Sequence, residues 1–154
     1  MDSVSGEVLR EWDGAYIANQ YPEFPRPETP EHLPNDVAAA LLDAERCFAE
    51  GLFNPAATFY GKAIERAIKP LLGDNPPKML GPMLGRLEES GLLPDPMIDW
   101  IRLIKESRNL ATHDDADFQC RGDVEPARDF TLMLLRYLFT MPEEVRIARQ
   151  GLGS

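Results

Sequence analysis

Between residues 34 and 141, apolar side chains recur at helical spacing five times, and proline or glycine bounds nearly every run. Val37, Leu41, Ala44 and Phe48 fall at i, i+4, i+7 and i+11, with Asn35 placed to cap the start and Gly51 to stop the end. Asn54-Pro55 then supplies a cap and a first-turn proline for a second helix, whose stripe is Ala56, Tyr60, Ala63, Ile64, Ala67, Ile68 and Leu71. So short a connection predicts an antiparallel hairpin. Pro70 and the loop Gly73 to Pro77 separate it from a third helix over Lys78 to Ser90. In that helix Gly81, Pro82 and Gly85 predict a kink or a late start, while Leu80, Met83, Leu84 and Leu87 form an apolar side.

After Gly91, Asp95-Pro96 opens a fourth helix running to about Ala111. Asp123 is placed to cap a fifth, which has Pro126 early and an interior, Phe130 to Met141, that is apolar nearly all round. A helix of that kind is either the centre of the bundle or part of a subunit interface, because Leu132, Met133 and Phe139 facing water would make a large apolar patch. Pro142 opens a last short amphipathic helix, and a flexible tail is expected from Gly151. The expected fold is all-α: an antiparallel bundle of five to six helices over residues 34–150.

Residues 1–33 have no sustained period and end in YPEFPRPETPEHLP, whose prolines favour extended chain over helix. Trp12, Tyr16, Ile17, Tyr21 and Phe24 are a heavy apolar load for a disordered tail. The reading is a short helix or strand near Val8 to Ile17, then an arm laid over the bundle, with His32 as a solvated loop residue. The arm is acidic, with seven acids against two bases, in a chain of 154 residues and net charge -10. That charge argues against broad, non-specific nucleic-acid binding, which needs a basic field, and leaves room for a small basic pocket. With 44% hydrophobic and 27% charged residues and no long apolar run, the chain is expected to be soluble and cytoplasmic, with no membrane segment or signal peptide. Cys47 and Cys120 make no metal-binding spacing and are expected to be reduced. No metal or cofactor is expected.

The candidate site lies at the end of the fourth helix, MIDWIRLIKESRNLATH. Met97, Ile101 and Ile104 form its apolar stripe, and the next position on that stripe is Arg108. Arginine cannot shed its charge, so a core-facing guanidinium needs an anion from the protein or from a ligand. Five residues later stands His113, which titrates near neutrality. From Ile101 to His113 three bases face one acid, a locally basic stretch in an acidic protein. Two readings stay open for each residue. Arg108 is either a phosphate ligand or half of a structural ion pair with Glu65, Glu106 or an acid of the 114–117 loop. His113 is either a proton-transfer group or a C-terminal cap favoured by the helix dipole and by Asp114 and Asp115. Asn109 reads as a helix-end amide or as a polar neighbour of the pair. Residues i and i+5 stand about 140° apart on a straight helix, so Arg108 and His113 converge only if the helix ends near Ala111 or if a dimer axis brings two copies together.

The ordered set YPEFPRPETPEHLP, AATFYGKAIERAI with Glu65, the turn Gly91 to Pro94, and SRNLATH resembles the HEPN superfamily, and within it a bacterial HEPN-related family of unknown function with a C-terminal R-x-x-x-x-H motif. The resemblance spans about Tyr21 to Met141. It implies a helical bundle that forms a homodimer, with the two motifs facing each other across a cleft. Active relatives are metal-independent endoribonucleases of toxin or phage-defence systems. Carried over, His113 would move the proton of the ribose 2′-hydroxyl or of the leaving 5′-oxygen, Arg108 would hold the scissile phosphate, Asn109 would orient the pair, and Glu65 would support it. The partners implied are a second copy, RNA or a nucleotide, and a cognate regulatory protein. The chemistry is coherent in itself, since RNA supplies its own nucleophile and needs only proton transfer and charge stabilisation. The alternative is a non-catalytic helical interaction or regulatory module in which the motif is structural.

Overall fold

The computed structural model describes residues 29–112 and 118–153. Its elements are α1 (Asn35–Ala49), α2 (Phe53–Ile68), a 3-10 turn (Lys69–Leu72), α3 (Leu80–Ser90), α4 (Asp95–Ala111), a second 3-10 turn (Arg121–Asp123), α5 (Glu125–Leu135), a π-helical turn (Arg136–Thr140) and α6 (Met141–Gly153). Among the described residues there is no strand, so the fold is an all-α helical bundle.

The hairpin forms where the periodicity puts it. Val37, Leu41, Ala44 and Phe48 of α1 are buried against α2. Gly51, at φ 78°, takes the left-handed conformation that closes α1, with the Leu52 N–H donating to the Cys47 carbonyl at 2.8 Å. Both expected caps are displaced. α1 is preceded by Pro34 and makes no side-chain cap, with Asn35 already inside the helix. α2 begins at Phe53, one residue before Asn54, so the Asn54 side chain is released for other partners. Leu71, expected in the stripe of the second helix, falls in the 3-10 turn and is exposed, while Leu72 is buried in its place.

The centre of the bundle is α2, not the fifth helix. It packs on α1, α4, α5 and α3, and Ala56, Ala57, Tyr60, Gly61, Ala63, Ile64, Ala67 and Ile68 are all buried. Its small side chains let neighbouring helices approach on several sides, and packing of this kind supplies most helix stability. α3 begins late, at Leu80, as its glycines and proline suggest, and Gly91 ends it at φ 67°. α4 buries Ile98, Ile101 and Ile104, with Met97 half-buried beside them. It joins α5 through a stacked Trp100–Phe130 pair, ring centroids 5.6 Å apart.

The last third departs most from expectation. Asp123 does not cap α5. Its carboxylate accepts the Gln119 and Cys120 N–H groups at 2.9 and 3.1 Å and closes the 3-10 turn ahead of the helix. Those two backbone donors hold its carboxyl below the ordinary aspartate value. The run expected as one helix from Phe130 to Met141 changes winding at Arg136, and α6 continues from it at Met141, through Pro142 and on to Gly153. The expected tail from Gly151 is thus helical to Gly153. Leu132 is buried and Phe139 packs against the core, which leaves Met133, Tyr137 and Met141 exposed.

Residues 1–28, with the proposed element near Val8 to Ile17 and most of the arm, lie outside the described residues. The end of the arm does lie on the bundle: Pro30 is buried, Leu33 packs against the core, and the Thr140 hydroxyl donates to the Glu31 carbonyl at 2.7 Å. His32 is exposed at φ 66°. No helix among the described residues is long and apolar enough to cross a membrane.

Candidate functional site at the end of α4

α4 carries Asp95 in its first turn and Arg108 in its last, the order that complements the helix dipole. The helix stops where the Thr112 N–H and hydroxyl both donate to the Arg108 carbonyl, at 3.1 and 3.3 Å. Arg108 lies next to α2, and its Nη1 donates to Oε2 of Glu65. Side-chain exposures of 23% and 19% make this a partly buried pair, reachable from solvent. Among the described residues, Glu65 is the acid that the fold brings to Arg108.

The seat for the arginine is a glycine. A Cβ on Gly61 would fall 2.4 Å from Cδ of Arg108 and 3.1 Å from its Cβ and Cγ, so the arginine stem lies directly on the α2 backbone. Glycine inside a helix costs about 1 kcal/mol relative to alanine, and here it makes the close approach possible. Glu65 lies one turn further along the same side of α2 and meets the guanidinium. A guanidinium has five N–H donors in a planar fork, so a partner on Nη1 does not exhaust its capacity for an anion.

Asn54 completes the contact between α2 and the end of α4. Its Nδ2 donates to the Ala111 carbonyl at 3.4 Å, and its Oδ1 accepts the Phe118 N–H at 2.9 Å. Asn109 is exposed, and no hydrogen bond joins its side chain to Arg108 or Glu65. His113 lies outside the described residues, as do residues 114–117. The structure therefore brings Arg108 and Glu65 together, sets Asn109 at the surface beside them, and describes nothing of the histidine.

A second charged cluster has no counterpart in the sequence reading. Glu45 on α1 receives Arg128 Nε at 2.9 and 3.2 Å on its two oxygens and the hydroxyl of Tyr60 on Oε2. Arg128 is only 14% exposed and Glu45 13%. Burial, then the bond to Glu45, pushes the Tyr60 hydroxyl far above the ordinary tyrosine value. For Arg128 burial works against the charge, and Glu45 more than offsets it, so its value rises. Arg128 and Arg121 also face the Phe48 ring, at 5.2 and 4.6 Å from its centroid. With both carboxylate oxygens occupied and a tyrosine that keeps its proton, this cluster is a structural anchor tying α1, α2 and α5. Its one sequence signal was Glu45 lying between Ala44 and Phe48, beside the buried stripe.

The cysteines are free. Burial, reinforced by Asp43 and Glu50, raises the Cys47 thiol above its ordinary value, which disfavours the reactive thiolate. Among the described residues no three His, Cys, Asp or Glu side chains converge as a metal site.

A family model described as a domain of unknown function, DUF4145, matches residues 43–151, a span that runs from α1 to α6 and includes Tyr60, Gly61, Glu65 and the whole 108–113 motif. No curated protein and no solved structure matches the chain. Because the family model covers more than two thirds of the 154 residues, this chain belongs to the DUF4145 family.

Proposed function

We propose that this chain is a HEPN-like domain that binds RNA phosphate at the end of α4 and cleaves RNA without a metal ion, within a toxin or phage-defence system. The observation that carries this reading is the seat built for Arg108: Gly61 gives up helix propensity to admit its stem, Glu65 orients its guanidinium, and the side chain stays open to solvent. A preorganised cation is what a developing phosphorane charge requires. His113 transfers the proton, Arg108 holds the phosphate, Glu65 supports Arg108, and Asn109 is the exposed polar neighbour. The partners are RNA or a nucleotide, a second copy of the chain, and a cognate regulatory protein.

The test is incubation of a broad RNA panel with the protein in EDTA, comparing wild type, His113→Ala and Arg108→Ala. The expected result is cleavage that persists in EDTA and falls at least a hundredfold in His113→Ala, the scale of a lost general acid or base. Cleavage that is absent in the wild type, or equal in the wild type and His113→Ala, refutes the reading.

A second reading is favoured by a different observation. Leu71, Leu92, Tyr137, Met141 and Val145 line an open groove of about 580 Å³ beside α6. An apolar surface of that kind suits protein docking, and in a non-catalytic interaction module the Arg108–Glu65 pair would serve structure alone.

A further inference from the structure

α2 turns one side toward the end of α4. Asn54, Gly61 and Glu65 fall at i, i+7 and i+11, on one side of the helix, and each meets the last turns of α4 or the chain just beyond. Elsewhere on the buried surface of α2 the small residue is alanine, at positions 56, 57, 63 and 67. At 61 even alanine is too large, because its Cβ would lie 2.4 Å from Cδ of Arg108. Generic close packing would be met by alanine. At 61 the three atoms nearest an added Cβ all belong to the Arg108 stem.

Asn54 acts at the other end of the stripe. The last carbonyls of a helix have no partner within it, and the Asn54 amide satisfies that of Ala111 while the same side chain accepts the Phe118 N–H. One amide group thus ties the C-terminal end of α4 to the Phe118 backbone.

We infer that Asn54 and Gly61 are positioning residues for the Arg108 site, an inference that rests on the phosphate-binding reading above. Gly61 sets the depth at which the Arg108 stem lies, so that the guanidinium meets Glu65. Asn54 ties the last turn of α4, the turn that carries Arg108, to the Phe118 amide. Neither touches RNA. Both act through the residues they hold.

Two measurements on the free protein test the seating. Gly61→Ala should lower the melting temperature by several degrees in the wild-type background, and by much less in an Arg108→Ala background, where Cγ and Cδ of the stem are gone and only the Cβ of residue 108 stays close. An equal loss in both backgrounds overturns the role of Gly61. Asn54→Ala should speed exchange of the Phe118 amide at least tenfold, while Asn54→Asp, which keeps the acceptor, should leave it near the wild-type rate. Unchanged exchange in Asn54→Ala overturns the role of Asn54.

With RNA, Gly61→Ala should raise KM and reduce the salt dependence of binding by about one phosphate contact, as Arg108→Ala does. Asn54→Ala should raise KM in the same direction, and Asn54→Asp, which keeps the acceptor for Phe118 but loses the donor to Ala111, should not restore it. RNA cleavage in the wild type with neither effect in the variants overturns the positioning roles alone. No cleavage or binding by the wild type removes the reading they rest on, and the melts and the exchange rates still decide the seating.

Discussion

Arg108 and Arg128 meet the same difficulty, a guanidinium on a core-facing side of a helix, and close it to different degrees. Arg128 is 14% exposed and shares a carboxylate with a fully buried tyrosine, whereas Arg108 keeps 23% of its side chain in solvent and has one carboxylate oxygen on Nη1. The first arrangement predicts a pH effect. Tyr60 holds its proton more tightly folded than unfolded, so its contribution is intact below about pH 10, where the unfolded tyrosine begins to ionise, and is lost as pH rises further. Chemical denaturation as a function of pH should show stability falling above about pH 10, and Tyr60→Phe should flatten that limb. An equal slope in the variant would count against the Tyr60–Glu45 bond. The second arrangement predicts coupling. Glu65→Ala should cost about 1–3 kcal/mol by leaving a half-buried charge, and the cycle with Arg108→Ala should give a coupling of about 0.5–3 kcal/mol. Simple additivity of the two substitutions would mean that the pair does not form.

At the scale of elements, α2 and α6 are opposites. Eight residues of α2 are buried, and none of α6 is. A helix of 13 residues is near the shortest that holds together alone in water. Native-state hydrogen exchange should therefore find α2 opening only with global unfolding and α6 opening first, at the low end of local free energies. Amides of α6 exchanging as slowly as those of α2 would show that something covers it. The same contrast explains why the helices were legible in the sequence and their hierarchy was not. Period and punctuation locate α1, α2 and α4 nearly to the residue, since both signals are local. Which helix is central depends on how many neighbours each one gathers. The apolar run Phe130 to Met141 suggested the fifth helix, yet the alanines of α2 admit more partners than the bulky side chains of α5.

For the whole molecule, the exposed groove beside α6 bears on the proposed homodimer. Met141 and Val145 are 53% and 48% exposed, and with Tyr137 they form an apolar face on a chain of net charge -10. Sedimentation across a range of concentrations should show reversible self-association, and Val145→Glu should shift it toward monomer by placing a charge in that face. Wild-type protein that stays monomeric at every concentration, or a variant that associates as well as wild type, would remove α6 from the dimer interface.

What the sequence by itself determined was everything carried by short range: an all-α chain, the positions of its helices, and an arginine on the apolar side of the fourth. Tertiary structure decided the partners. Asn54-Pro55 has the local form of a helix cap, but the partners that claim the Asn54 side chain, Ala111 and Phe118, are 57 and 64 residues away. Gly61 carries no turn signal, and its reason is the stem of Arg108, which no periodicity reveals. Glu65 and Glu106 are equally available to Arg108 in the sequence, and the packing of α2 on α4 brings Glu65 to it. Glu45 and Arg128 were not paired at all, being 83 residues apart. Helical period reports which side of a helix faces inward, and only the arrangement of helices determines which side chain waits there.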